Sequence, residues 1–136
     1  MKYELDNILC ERYPEIMINR NKDVKETCMC WGFECGDGWF TILDLLMSDI
    51  QHHINWQNKK ENKITQVTFD QVKEKFGTLR IYYSGGDATI SGMVKMAELF
   101  SSVICEQCGH PGVTRGLGWR YTSCDTHAKP LDRDTK

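Results

Sequence analysis

The chain has 136 residues, a net charge of −2, and hydrophobic and charged fractions of 40% and 26%, a balance that folds as one domain rather than staying disordered. The slight acidic excess argues against coating nucleic acid non-specifically, which needs many Lys and Arg, and no apolar run is long enough to span a bilayer. Met1-Lys2-Tyr3-Glu4-Leu5-Asp6 is too polar and acidic for an export signal, so the seven cysteines are expected to be reduced, in a cytoplasmic setting.

Residues 3–13 carry Leu5, Ile8, Leu9 and Tyr13 at helical spacing, ahead of Pro14. Residues 15–36 have no sustained period and read as an irregular connection. Trp39, Ile42, Leu43, Leu46, Ile50 and Ile54 then predict a long helix over about 38–56, with Asp37 positioned to cap it. Residues 64–84 alternate about Lys75-Phe76-Gly77, which predicts a hairpin with a three-residue loop and Glu74 opposite Thr78. That register puts Phe69, Leu79, Ile81 and Tyr83 on one face and Asp70, Val72, Arg80 and Tyr82 on the other. A helical stripe through Phe69, Val72 and Phe76 is the alternative. Asp87 can cap a second helix to about 103, burying Ile90, Met93, Val94, Ala97, Phe100 and Ile104.

The second helix runs into the clearest motif. Cys105 and Cys108 are separated by two residues, fifteen follow, and Cys124 and His127 repeat the two-residue gap. Paired soft ligands at this spacing are those of a tetrahedral zinc site. Three thiolates and one imidazole fill the shell, so the expected zinc is structural, one per chain. Between the pairs, residues 114–121 read as a small hairpin. The fold expected is α+β: amphipathic helices packed on an antiparallel hairpin-based sheet over residues 1–104. A treble-clef-like or ribbon-like zinc lobe over 105–136 packs on that core, completing a single compact domain.

Other chemistry is less defined. Cys28, Cys30 and Cys35 could supply a second metal with Cys10 or a His, but a one-residue gap chelates poorly and free buried thiols are the simpler reading. His52 and His53 are neighbours about 100° apart on one helix and do not readily share an ion. Ser84-Gly85-Gly86 precedes a helix start that could hold phosphate, yet Asp87 puts negative charge there.

Three strings together, Cys30-Trp31-Gly32-Phe33-Glu34-Cys35-Gly36-Asp37-Gly38-Trp39, Val72-Lys73-Glu74-Lys75-Phe76-Gly77-Thr78-Leu79-Arg80, and the zinc pairs with Gly118-Trp119, resemble small zinc-knuckle proteins of tailed phages and prophages over nearly the full chain. The resemblance implies an accessory protein of the host cell cytoplasm that engages a host partner or counters a host defence.

Arg80, Tyr82, Arg115, Trp119 and Arg120 combine guanidinium groups with aromatic rings, a set that grips phosphate and stacks a base. The expected activity is binding without turnover of a nucleotide-like anion, such as a host signalling nucleotide that is sequestered. Guanidinium and aromatic groups also suit protein hot spots, so inhibition of a host protein is one alternative. A metal-dependent nuclease is another, because His127-Ala128-Lys129-Pro130-Leu131 resembles the His-x-x-Pro-Leu piece of HNH enzymes. The zinc-ligand role expected for His127 competes with that use.

Overall fold

The computed structural model describes residues 1–133, so positions 134–136 of the expected lobe lie outside the described residues. Helix α1 spans Tyr3–Arg12, strand β1 Phe33–Glu34, helix α2 Phe40–Gln57, strands β2 and β3 Thr68–Lys75 and Thr78–Ser84, and helix α3 Ala88–Phe100. Strands β4 (Val113–Arg115) and β5 (Tyr121–Ser123) belong to the lobe. The main sheet has the order β1-β2-β3; β1 is parallel to β2, and β3 is antiparallel to it. The architecture is α+β, with the hairpin extended into a mixed sheet by a two-residue strand too short to leave a periodic signal.

Helices α2 and α3 cover one face of that sheet. Trp39, Leu43, Met47, Ile50 and Ile54 meet Phe69, Val72, Leu79, Ile81, Ile90 and Val94 in one buried cluster. The irregular stretch before β1 is held by a buried carboxylate. Asp6 on α1 accepts from Arg20 Nε at 3.0 Å and from the Phe33 amide at 3.1 Å, and Arg20 Nη1 reaches the Cys30 carbonyl at 2.9 Å.

The hairpin differs from expectation by one residue. Lys75 pairs with Thr78 and Glu74 with Leu79, which leaves a two-residue loop of Phe76 and Gly77. Both have positive φ, +54° and +84°, as a type I′ connection requires. A second irregularity lies between Phe69 and Gln71, where Asp70 has no cross-strand partner. This bulge changes the alternation, so Val72 joins Phe69, Leu79 and Ile81 in the core rather than facing outward with Arg80. The opposite face presents three cross-strand pairs: Lys75 with Thr78, Lys73 with Arg80, and Gln71 with Tyr82.

Two helix starts behave differently. Asp37 does not cap α2, which follows a 3-10 turn over Asp37–Trp39; its carboxylate instead accepts the Lys2 amide at 2.8 Å. Asp87 does cap α3, accepting from the Ile90 amide at 3.1 Å while His53 Nε2 on α2 sits 2.9 Å from its other oxygen. His53, and then the Ile90 amide, hold this carboxyl below its ordinary 3.8. Its stabilising share is complete above 3.8 and is lost only as pH falls through the lower folded value, so a neutral buffer measures it whole. Asp87→Ala should cost about 0.5–2 kcal/mol in urea unfolding at neutral pH, the range for a lost cap.

Helix α3 also lies along the outer strand: Ser101 Oγ accepts the Leu79 amide at 2.8 Å and Glu98 Oε2 the Ile81 amide at 2.9 Å. Phe100, expected in the core, is 54% exposed, since the buried side of this helix is spent on Ile90, Val94 and Ala97.

Candidate metal centre and the cleft beside it

The Cys105-Glu106-Gln107-Cys108-Gly109 turn closes on itself: the Gly109 amide donates to the Cys105 carbonyl at 2.9 Å and the Cys105 amide to the His110 carbonyl at 2.7 Å. Gly109 has φ +79°, the left-handed position where a side chain would strain the turn. Strands β4 and β5 return the chain to Cys124, and a 3-10 turn over Asp125–His127 swings the imidazole inward.

The four ligand atoms lie within 4.8 Å of one another. Cys108 and Cys124 sulfurs are 3.7 Å apart, and His127 Nδ1 is 3.6 Å from the Cys105 sulfur and 3.3 Å from that of Cys124. A tetrahedral zinc with bonds of about 2.3 Å to sulfur and about 2.0–2.1 Å to nitrogen needs edges of about 3.8 Å and about 3.6 Å. The residues fit the ion. This Cys3His cluster can coordinate a single structural zinc per chain. No family model, curated protein or solved structure gives a significant match to the chain. Its chemistry therefore rests on its own geometry.

The three thiols differ in their electrostatics. Burial raises the Cys105 thiol, but backbone hydrogen bonds from Cys124, Cys108 and Gln107 outweigh it and lower the pKa. Cys124 is likewise lowered, with burial outweighed by the His127 backbone and ring. For Cys108 the His110 backbone lowers the pKa, but desolvation and the two neighbouring sulfurs win and raise it. Three thiolates at these separations need a dication among them. His110 Nδ1 lies 3.3 Å from the Cys108 sulfur, beside the four ligands.

The knuckle is mounted on the core through its backbone. Gly38 N–H donates to the Glu106 carbonyl at 2.7 Å, Gly36 N–H to the Glu106 carboxylate at 2.9 Å, and the buried Trp39 indole to the Ile104 carbonyl at 3.0 Å. A β-carbon on Gly38 would collide with the Cys105 and Glu106 carbonyls and the Gly109 amide. The Gly36-Asp37-Gly38-Trp39 string is thus the seat of the metal lobe. Burial raises the Glu106 carboxyl, opposed by the Gly36 amide.

Among the described residues, the C-terminal cluster is the one group of three or more potential metal ligands. Cys35 is buried and its thiol pushed up to about 12 by desolvation; Cys10 is pushed up to about 11 by desolvation and then by Asp6. Cys30 donates to the Thr27 carbonyl at 3.3 Å, and Cys28 is exposed. In the Ser84-Gly85-Gly86 loop, the Gly86 amide is already bound to the Thr65 carbonyl at 2.9 Å.

The expected Arg and aromatic set divides three ways. Arg115 is 3% exposed and is a strut of the lobe, not a surface grip: Nε donates to the Ser123 carbonyl at 3.3 Å, Nη1 to the Asp132 carbonyl at 2.8 Å, and Nη2 to the Asp125 carboxylate at 2.7 Å. Arg80 Nη1 donates to Thr78 Oγ1 at 2.6 Å and to the Leu79 carbonyl at 3.0 Å, and the side chain lines a hollow with Lys95 and Glu98 of α3. Tyr82 is exposed one pair further along the open face.

Trp119 and Arg120 do come together, in a cleft of about 200 Å³ where the lobe meets the tip of the main hairpin. Lys73, Glu74, Lys75, Phe76 and Gly118 complete it. The tip is pinned there by Thr122 Oγ1 on the Gly77 carbonyl at 2.5 Å. Lys73, Lys75 and Phe76 escaped sequence reasoning because the assumed register put both lysines on the side of Phe69 and left Phe76 in the loop. Among the described residues, no helix is long and apolar enough to cross a membrane.

Proposed function

We propose that the protein binds a nucleotide-like anion without turnover, in the cleft between the β2–β3 tip and the zinc lobe. One observation carries the reading: two exposed rings, Trp119 at 79% and Phe76 at 68%, border the same cleft as Lys73, Lys75 and Arg120. Base stacking uses exposed aromatic faces of this kind, and the Lys75 ammonium lies 5.8 Å from the centre of the Phe76 ring. Phe76 holds a positive φ where glycine would be easier, and such strain recurs at ligand clamps.

The cleft is smaller than the roughly 300–1,000 Å³ of sites that enclose a drug-sized ligand. It therefore takes one ring and leaves the phosphates on the rim, where the three cations stand. Glu74 is occupied by the Gly77 amide at 2.7 Å, which reduces its opposition to an anion. Arg80 stands across the ladder from Lys73, but its side chain lines the hollow beside α3 rather than this cleft. Given the resemblance to phage accessory proteins, the biological use we infer is sequestration of a host signalling nucleotide.

Calorimetry against a panel of linear and cyclic nucleotides tests this. Trp119→Ala should weaken binding by roughly five- to a hundredfold, the value of one stacked base at about 1–3 kcal/mol. Lys73→Ala should do so by roughly tenfold or more, as a charge-assisted contact implies, and Arg80→Ala by less. Zinc content and melting temperature should stay unchanged. No heat with any nucleotide rejects the proposal; a stable complex with a host protein that Trp119→Ala abolishes would assign the same surface to an inhibitor. Metal-dependent degradation of DNA or RNA would instead favour the nuclease.

A further inference from the structure

The two core helices carry more apolar surface than the core consumes. On α2, Ile42 is only partly buried and Leu45 is 66% exposed; on α3, Met93 is partly buried, Met96 is 53% exposed and Phe100 turns outward. These five side chains line one open groove of about 740 Å³, closed at one end by the zinc knuckle and sharing no residue with the anion cleft. An exposed apolar patch of contiguous helix residues marks an interaction surface.

We infer that this groove docks an amphipathic helix of a partner protein, one that carries a Lys or Arg beside its apolar stripe. The shape is that of a trough between two helices, which a third helix fills by ridge-into-groove packing. Helix α3 has 13 residues, or about 20 Å at about 1.5 Å per residue, so the occupant needs three to four turns. Met93 and Met96 supply flexible, polarisable walls that adapt to different anchors.

Charge selects the partner. The groove's lining includes Asp37 and Asp49 and no basic residue. Asp37 is engaged by Lys2, whose ammonium is 3.6 Å away. Asp49, beside Leu45 on the outer wall, makes no ion pair or side-chain hydrogen bond among the described residues. A basic side chain on the incoming helix would meet it. A second copy of this chain would bring one acidic rim against another, and an anionic membrane would meet the same repulsion.

Selection from a random display library of helical peptides, about 14 residues long to match the trough, tests the inference on the zinc-loaded protein. Enriched sequences should place apolar residues at i, i+3 or i+4 and i+7 with a flanking Lys or Arg. Leu45→Glu and Met96→Glu should each weaken the chosen peptide by roughly tenfold or more, as for a central anchor. Both positions are exposed, so zinc content and melting temperature check that each variant folds. Asp49→Lys should reverse the preference toward acidic peptides. The inference fails if no peptide is enriched, if enriched peptides ignore both groove variants, or if they show no charge preference that Asp49→Lys alters. It also fails if sedimentation finds a dimer that Leu45→Glu dissolves, because the occupant would then be a second copy.

Discussion

Cys108→Ser, combined with His110→Ala, should strip zinc from the protein and unfold the lobe that begins at Cys105. Cys108 suits the test because it is less buried than Cys105, so its loss as a ligand is not confused with lost packing. His110 must go too: its Nδ1 is 3.3 Å from the sulfur, close enough to take the vacated place. A structural zinc contributes folding free energy on the order of 10 kcal/mol in small domains, more than a lobe with two three-residue strands can replace. The damage should reach the core, since the knuckle is the floor under Trp39. Of four tryptophans, Trp31, Trp56 and Trp119 are exposed and Trp39 is fully buried. Its emission should therefore shift to the red as metal is lost. One zinc per chain retained by the double variant, with unchanged emission, would overturn the assignment.

Gly38→Ala should weaken the seat of the lobe without touching a ligand. The added methyl meets two carbonyls and an amide of the knuckle, all backbone, with no flexible side chain to swing aside. Relief comes only by lifting the lobe, which also stretches the Gly38–Glu106 hydrogen bond. The expected cost is about 2–4 kcal/mol, overpacking plus a buried bond. Gly92→Ala provides the contrast. It lies on α3 with nothing within 4 Å of the new carbon and should stabilise by about 0.5–1 kcal/mol. Urea unfolding of the two variants checks both signs. Equal effects would mean that the knuckle does not rest on Gly38.

The metal cluster was legible because chelation at the turn is local: a two-residue gap fixes two sulfurs whatever surrounds them. The Asp87 cap was legible for the same reason. What escaped depended on distant partners. Asp37 has the chemistry of a cap, but Lys2 claims it. The strand register turned on a left-handed Phe76, which ordinary propensity disfavours, and on a bulge at Asp70. That bulge is held by Ser84 on the Asp70 carboxylate at 2.7 Å and, from outside the hairpin, by Asn19 on the same carboxylate at 3.3 Å and Thr27 on its carbonyl at 3.2 Å. Arg115 was read as a surface residue because its partners lie up to eighteen positions away. Phe100 and Ile42 follow helical stripes faithfully, yet a stripe does not say how much of its width the core will cover.

The arrangement along β3 bears on how this protein behaves when crowded. A bare outer strand is a template on which other chains add, the first step toward cross-β fibres. Here the outward amides of Leu79 and Ile81 are already taken by Ser101 and Glu98, and the opposite margin is the two-residue β1. At these two positions β3 has no free amide to offer another strand, and β1 is too short to template one. Concentrated solutions should therefore resist fibril growth that starts on β3, and a peptide partner arriving at that margin has to be recognised through side chains.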